Sequence, residues 1–368
     1  MLLAAPAKAE ETAGATAAPP AAPAVTLGDT ARYLAGLEPA AGSPLSPLTK
    51  NASWTRHARY LDQAWARLDK GQLSRINAWS KKNVTEYQPF MLYMFSGPDF
   101  LYADAFYPHA KTYVLSALEP VGAIPEVSRM SGGSRAAALQ NLRASMQEVL
   151  SYSFFITKQM KAELRSGRLP GTLPVLYVFL ARAGKTVQDV ALVSLNPDGT
   201  VTPREGGAPK GSSEGVKIIF TDADPQPRTL YYFATDLSDG GLPNSGFMTF
   251  CRGLGPADSL VKSASYLLHS GYFTTARNFL LEQSAVIIQD DSGIPLRNFD
   301  SENWELHPFG RYLGPISIFP GRYQQEMRRL FSGGRAKPVD FGIGYRWRTR
   351  ETNVLLAIKR PLSQASSE

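Results

Sequence analysis

Apolar residues in this chain come in short runs, and nearly every run stops at a glycine, a proline or an acid. Examples are "FMLYMFSGPD", "KTYVLSALEP", "VKIIFTDAD" and "AVIIQDDSG". No run approaches the ~18 residues that a membrane-spanning helix needs, and runs of this length bounded by turn formers read as buried strands. Between them lie longer stretches with helical spacing. The expected fold class is therefore α/β or α+β: a mixed β-sheet with antiparallel hairpins in the middle and C-terminal parts, flanked by α-helices.

The clearest helix covers 53–80, where Trp54, His57, Tyr60, Leu61, Ala64, Trp65 and Leu68 recur every three or four residues and Leu73, Ile76 and Trp79 continue the stripe beyond Gly71. Another is expected over 134–165, and 258–284 is expected to hold two, one opened by Pro256-Ala257-Asp258 and carrying Leu260, Val261, Ala264, Leu267 and Leu268, and one from Phe273 to about Gln283. A short one is expected over 322–331. "TLPVLYVFLARAG" and "TVQDVALVSLNPDGTV" read as paired strands, "VKIIFTDADPQPRTLYYFATDL" as a hairpin, and "GFMTF" before Cys251 as strand-like. In "FGIGYRWRTRETNVLLAI" alternation predicts a hairpin strand with one apolar face.

Residues 1–47 are rich in Ala and Pro and poor in large apolar groups, which predicts a disordered leader; 48–360 form one globular domain and 361–368 a disordered tail. The first residues, with Ala7-Lys8-Ala9 as a small-x-small cleavage site, read as the end of a secretory signal, so a periplasmic or secreted location is expected. Cys251 is the single cysteine, which excludes an intrachain disulfide and a thiolate metal cluster. The net charge of +7 is concentrated near the C-terminus: 311–360 holds eleven basic residues against three acidic ones. No basic arm stands apart from the fold, so no specific nucleic-acid partner is expected, although a partner protein docking on that basic face is a further reading.

Candidate site residues come from the ends of the apolar runs. Ser96 and Asp99, Glu119, Asp222 and Asp290 with Asp291 all follow such runs, and ligands of open α/β sheets bind at the carboxyl ends of strands. Carboxylates there can act as general acid and base or hold a polar ligand. Asp290 and Asp291 are candidate catalytic groups, although two adjacent aspartates on an extended chain face different ways. Arg297 is expected to pair with one of them. His307, Arg311 and Tyr312 add an imidazole, a guanidinium and a phenol nearby.

The stretch over 95–122 has a strand, a glycine turn, a helix and a strand ending in an acid, the layout of nucleotide-binding half-folds, and it resembles the methyltransferase version. Its turn, Ser96-Gly97-Pro98-Asp99, has one glycine, a proline without an N–H and an acid that repels phosphate. No P-loop, G-x-S-x-G elbow or H-E-x-x-H helix occurs, and the four histidines lack metal-ligand spacing. The expectation is binding of a small polar ligand or a cell-envelope component at an acidic-rimmed cleft, without metal or cofactor. The alternative is an enzyme, either a carboxylate-based hydrolase or a nucleotide- or methyl-donor-dependent transferase using 95–122.

Overall fold

The computed structural model describes residues 24–152 and 168–361. The export segment at Ala7-Lys8-Ala9, the end of the helix read over 134–165 and residues 362–368 of the expected tail lie outside the described residues.

Helix α1 (Leu27–Leu34) falls inside the expected disordered leader and corrects it. Thr26 and Asp29 form a capping box: the Thr26 hydroxyl accepts from the Asp29 amide at 2.9 Å and the Asp29 carboxylate accepts from the Thr26 amide. Tyr33 and Leu34 are buried, and the Trp54 indole donates to the Tyr33 carbonyl at 3.0 Å. The segment has few large side chains, but these anchor it, so the folded unit begins before residue 48.

Helices α2 (Ala52–Leu68) and α3 (Ser74–Asn83) follow, joined by a π-helical turn over Asp69–Leu73 that contains Gly71. Trp54, His57, Leu61, Ala64, Leu68, Ile76 and Trp79 are buried, as their spacing predicts. Next come β1 (Phe90–Met94), α4 (Phe100–Phe106), β2 (Thr112–Ala117) and α5 (Gly132–Tyr152).

The expected strand in "TLPVLYVFLARAG" is instead helix α6 (Leu173–Arg182). Every residue from Leu173 to Ala181 is buried, so the run is uniformly apolar and carries no period to separate a helix from a strand. Pro174 suits a helix's first turn, where its missing N–H has no intrahelical role. Strand β3 (Thr186–Leu195) therefore finds its antiparallel partners in β4 (Val201–Pro203) and β5 (Ser213–Thr221) instead of the preceding run, and β5 with β6 (Arg228–Ala234) forms the expected hairpin.

Two further assignments exchange places. "GFMTF" opens helix α7 (Phe247–Gly253), and the start of the first helix expected within 258–284 is strand β7 (Ala257–Val261), all of it buried. The central slot between β1 and another parallel strand selects an extended chain at 257–261, whatever the spacing of its apolar residues. Helix α8 (Thr274–Gln283), strand β8 (Ser284–Gln289), strand β9 (Trp304–Gly310), helix α9 (Gln325–Ser332) and strand β10 (Asn353–Lys359) complete the order. Only 353–359 of the alternating C-terminal stretch is a strand. Residues 341–348 fold back on themselves instead, and a Cβ at Gly342 would overlap the Trp347 carbonyl.

The ten strands form one mixed sheet in the order β4-β3-β5-β6-β2-β1-β7-β8-β10-β9. The inner five, β6-β2-β1-β7-β8, are parallel, and the flanking strands are antiparallel. Strand β1 is buried on both faces: Met91 and Tyr93 join the core under α1–α6, while Phe90, Leu92 and Met94 join the core under α7 and α8. From β1 the chain builds outward through β2 to β6 on one side and later through β7 and β8 on the other. The order therefore reverses between β1 and β7, the place where open parallel sheets leave a crevice at the strands' carboxyl ends. Among the described residues, no helix is long and apolar enough to cross a membrane.

Candidate functional site

The loops after β1, β7 and β8 meet at this reversal. Asp99 follows β1 and caps α4, accepting from the Tyr102 amide at 3.3 Å. Its other carboxylate oxygen accepts from the Tyr93 hydroxyl at 3.1 Å and lies 2.9 Å from the Lys262 ammonium, which follows β7. The ammonium also stands 3.9 Å from the Tyr102 ring centroid. An ion pair with both side chains almost fully excluded from water thus bridges the ends of β1 and β7.

Asp290 and Asp291 follow β8 and, as their adjacency predicts, face different groups. Asp290 accepts from the Ser292 amide at 3.1 Å and hydroxyl at 2.5 Å, and from the Ser263 amide at 3.2 Å. Asp291 accepts from the Tyr266 hydroxyl at 2.6 Å and the Asn353 amide group at 3.0 Å. Burial, with Asp291 next to it, pushes the Asp290 carboxyl up to about 7 despite these donors. Burial raises Asp291 too, against the Tyr266 and Asn353 hydrogen bonds and the charge of Arg346. A carboxyl with its pKa near neutrality can carry a proton to or from a ligand.

Segment 341–347 covers the cluster. The Tyr345 hydroxyl donates to the Ser263 carbonyl at 3.0 Å and lies 2.8 Å from the Ser265 hydroxyl, and its ring stacks near Tyr266. Gly344 adopts φ +61, and a Cβ there would overlap Asp290 Oδ2. Arg346 donates to the Gly314 and Pro315 carbonyls, fastening the cover to the neighbouring loop.

The backbone is strained at the same place. Phe95, Ser263, Ser265 and Tyr266 are the non-glycine residues with positive φ among those described, and all four stand at the ends of β1 and β7. Such conformations cost about 1–3 kcal/mol each and persist only where the surroundings impose them.

The other expected site residues are distributed as follows. Ser96 lies beside Asp99 at the end of β1, its hydroxyl donating to the Gly97 carbonyl at 2.7 Å. Glu119 is at the same end of the sheet, buried next to Tyr232, whose hydroxyl donates to the Glu119 carbonyl at 2.8 Å. Tyr312 is buried behind Asp291: Gln324 donates its amide to the Tyr312 oxygen at 2.9 Å and its side chain to the Asp291 carbonyl at 3.1 Å.

Five expectations are corrected. Asp222 stands at the opposite end of the sheet, 3.2 Å from both Lys185 and Arg228, because β5 runs antiparallel to the central strands. Arg297 is exposed and does not pair with either aspartate; Arg346 is the arginine whose charge acts on Asp291. His307 lies within edge strand β9, 3.2 Å from Glu305, and Arg311 is exposed, whereas the acids are buried. The acids form a buried cluster rather than an open rim.

Lys262, Tyr93, Ser263, Ser265, Tyr266 and Tyr345 were not legible as site residues. The one available signal was the polar stop "KSAS" after the apolar "SLV", which becomes meaningful only once 257–261 is read as a strand. Stretch 95–122 holds the turn, helix and second strand of a parallel strand–helix–strand unit whose first strand is β1, but Asp99 itself occupies the start of its short helix, so nothing there favours a phosphate. Cys251 is buried and burial holds its thiol well above the usual range, so it is no ready nucleophile. Among the described residues no group of three or more His, Cys, Asp or Glu is placed to hold a metal ion.

Fold and site together define an α/β protein with a buried acid–lysine cluster at the reversal of a parallel sheet. The chain matches no family model, no curated protein and no solved structure.

Proposed function

We propose that the carboxyl ends of β1, β7 and β8 bind a small polar ligand, with Asp290 as the group that accepts its hydrogen bond or exchanges its proton. The observation that carries this reading is the convergence of all four strained non-glycine residues on the β1–β7 reversal, around a carboxyl whose pKa is near 7. Ser265 and Tyr345 are partly exposed members of the cluster and offer hydroxyls to a ligand at its surface. The ring of Phe95, 5.8 Å from that of Phe273, supplies an apolar wall. The same acid supports a hydrolase as the second reading, with Asp290 as general base. The reading keeps the protein outside the cytoplasm on the strength of Ala7-Lys8-Ala9, which N-terminal sequencing of fractionated protein checks.

A thermal-shift panel of amino acids, monosaccharides, amino sugars, nucleotides and cell-wall glycopeptides tests the site. A ligand at about 100 times its Kd stabilises by roughly 2.7 kcal/mol. Asp290→Asn is expected to abolish that gain and Asp222→Asn, at the far end of the sheet, to preserve it. A ligand that stabilises wild type and Asp290→Asn equally would place binding elsewhere.

A further inference from the structure

A second feature, independent of the acid cluster's reading, lies on the other side of Tyr266. His269, Pro295, Arg297, Arg322, Gln324 and Glu326 line a cavity of about 80 Å³ together with Gly321 and Tyr323. That is several times the ~10–15 Å³ a single water requires.

Two arginines stand on its wall against one carboxylate. The side chains of Arg297 and Arg322 make no ion pair or hydrogen bond with another described residue, so two guanidinium groups line one small polar space without a carboxylate bound to either. The third arginine near His269, Arg277, is already engaged with the Leu268 carbonyl and the Thr274 hydroxyl. The His269 Nε2 is buried and has no partner among the described residues. The cavity also opens on the start of α9, where no side chain caps the helix, so the positive end of the helix dipole adds to the same field. The one carboxylate on the wall, Glu326, is exposed.

Two guanidinium groups on one small cavity favour an anion between them. Their planar, multiply donating forks suit oxygens that accept two hydrogen bonds at once. We infer that this cavity binds a tetrahedral oxyanion, phosphate or sulfate, between Arg297, Arg322 and the start of α9. The imidazole of His269 closes the inner wall. Its ring stands 5.2 Å from that of Tyr266, the tyrosine that holds Asp291, so an anion here neighbours the acid cluster without belonging to it.

Isothermal titration with inorganic phosphate and with sulfate, against chloride at fixed ionic strength, tests the assignment. Wild type is expected to show saturable binding of one oxyanion. Arg297→Gln and Arg322→Gln should each weaken it at least tenfold, and Arg311→Gln, an exposed arginine outside the wall, should leave it unchanged. Arg297 is exposed, so its variant keeps the fold, which an unchanged melting midpoint in chloride verifies. Absence of saturable heat in wild type, or wild-type affinity in both wall variants, would overturn the inference. Because neither aspartate lies on the wall, Asp290→Asn should bind phosphate normally even if it loses the polar ligand.

Discussion

The ammonium of Lys262 lies 2.9 Å from the carboxylate of Asp99, and the two side chains, 1% and 2% exposed, join the ends of β1 and β7 inside the protein. Neither charge has bulk water to solvate it, so each depends on the other and on Tyr93 and Tyr102.

Removing one partner strands the other. Lys262→Met is expected to destabilise by about 3–5 kcal/mol, measured by denaturant unfolding, whereas Lys262→Met combined with Asp99→Leu should recover much of that loss. If the double variant is no more stable than the single one, the pair is not the coupled unit described above.

Asp258, at the start of β7, accepts from the Gln88 amide at 2.9 Å, and burial raises its pKa to about 7. A carboxyl raised above its unfolded value stabilises the fold fully below about pH 4, and this contribution is lost as pH rises towards and through 7. Asp258→Asn should therefore be more stable than wild type by about 1–3 kcal/mol at pH 8 and close to wild type at pH 4. Parallel stability curves across that range would contradict the burial argument. Asp290 follows the same sign, so wild type itself should lose stability between pH 5 and 7.5.

Ser263 has φ +53 and sits where the backbone serves Asp290 and Tyr345. Glycine relieves such strain, so Ser263→Gly is expected to stabilise by up to about 1 kcal/mol while weakening any ligand held at the cluster. Gain of stability with unaltered binding would dissociate the strain from the site.

Gly344→Ala places a methyl group against Asp290 at a positive φ. A cost of about 1–3 kcal/mol is expected. Gly253→Ala, at the end of helix α7 with open space around it, should be neutral or slightly stabilising. Equal melting temperatures for the two variants would mean that 341–347 does not pack on Asp290 as described.

Much of this architecture was legible from local pattern. The α2–α3 stripe, the β5–β6 hairpin and the polar stops after β1 and β8 each follow from the spacing or turn chemistry of neighbouring residues. Ser96, Asp99, Asp290 and Asp291 are placed at strand ends in that way. Asp222 has the same signature, a carboxylate after an apolar run, yet lies at the wrong end of the sheet, because strand direction is not written into a run and its turn.

By itself the sequence determined the class of fold, the helices that keep one wet face and the acids that end the strands. These depend on contacts within a few residues. The tertiary structure alone decided that Leu173–Arg182 is a helix and Ala257–Val261 a strand, since an element buried all round loses the period that would declare it. It also decided that Asp99, Lys262, Asp290 and Gly344 meet, because strand order, set by burial of both sheet faces, brings together residues far apart in the chain.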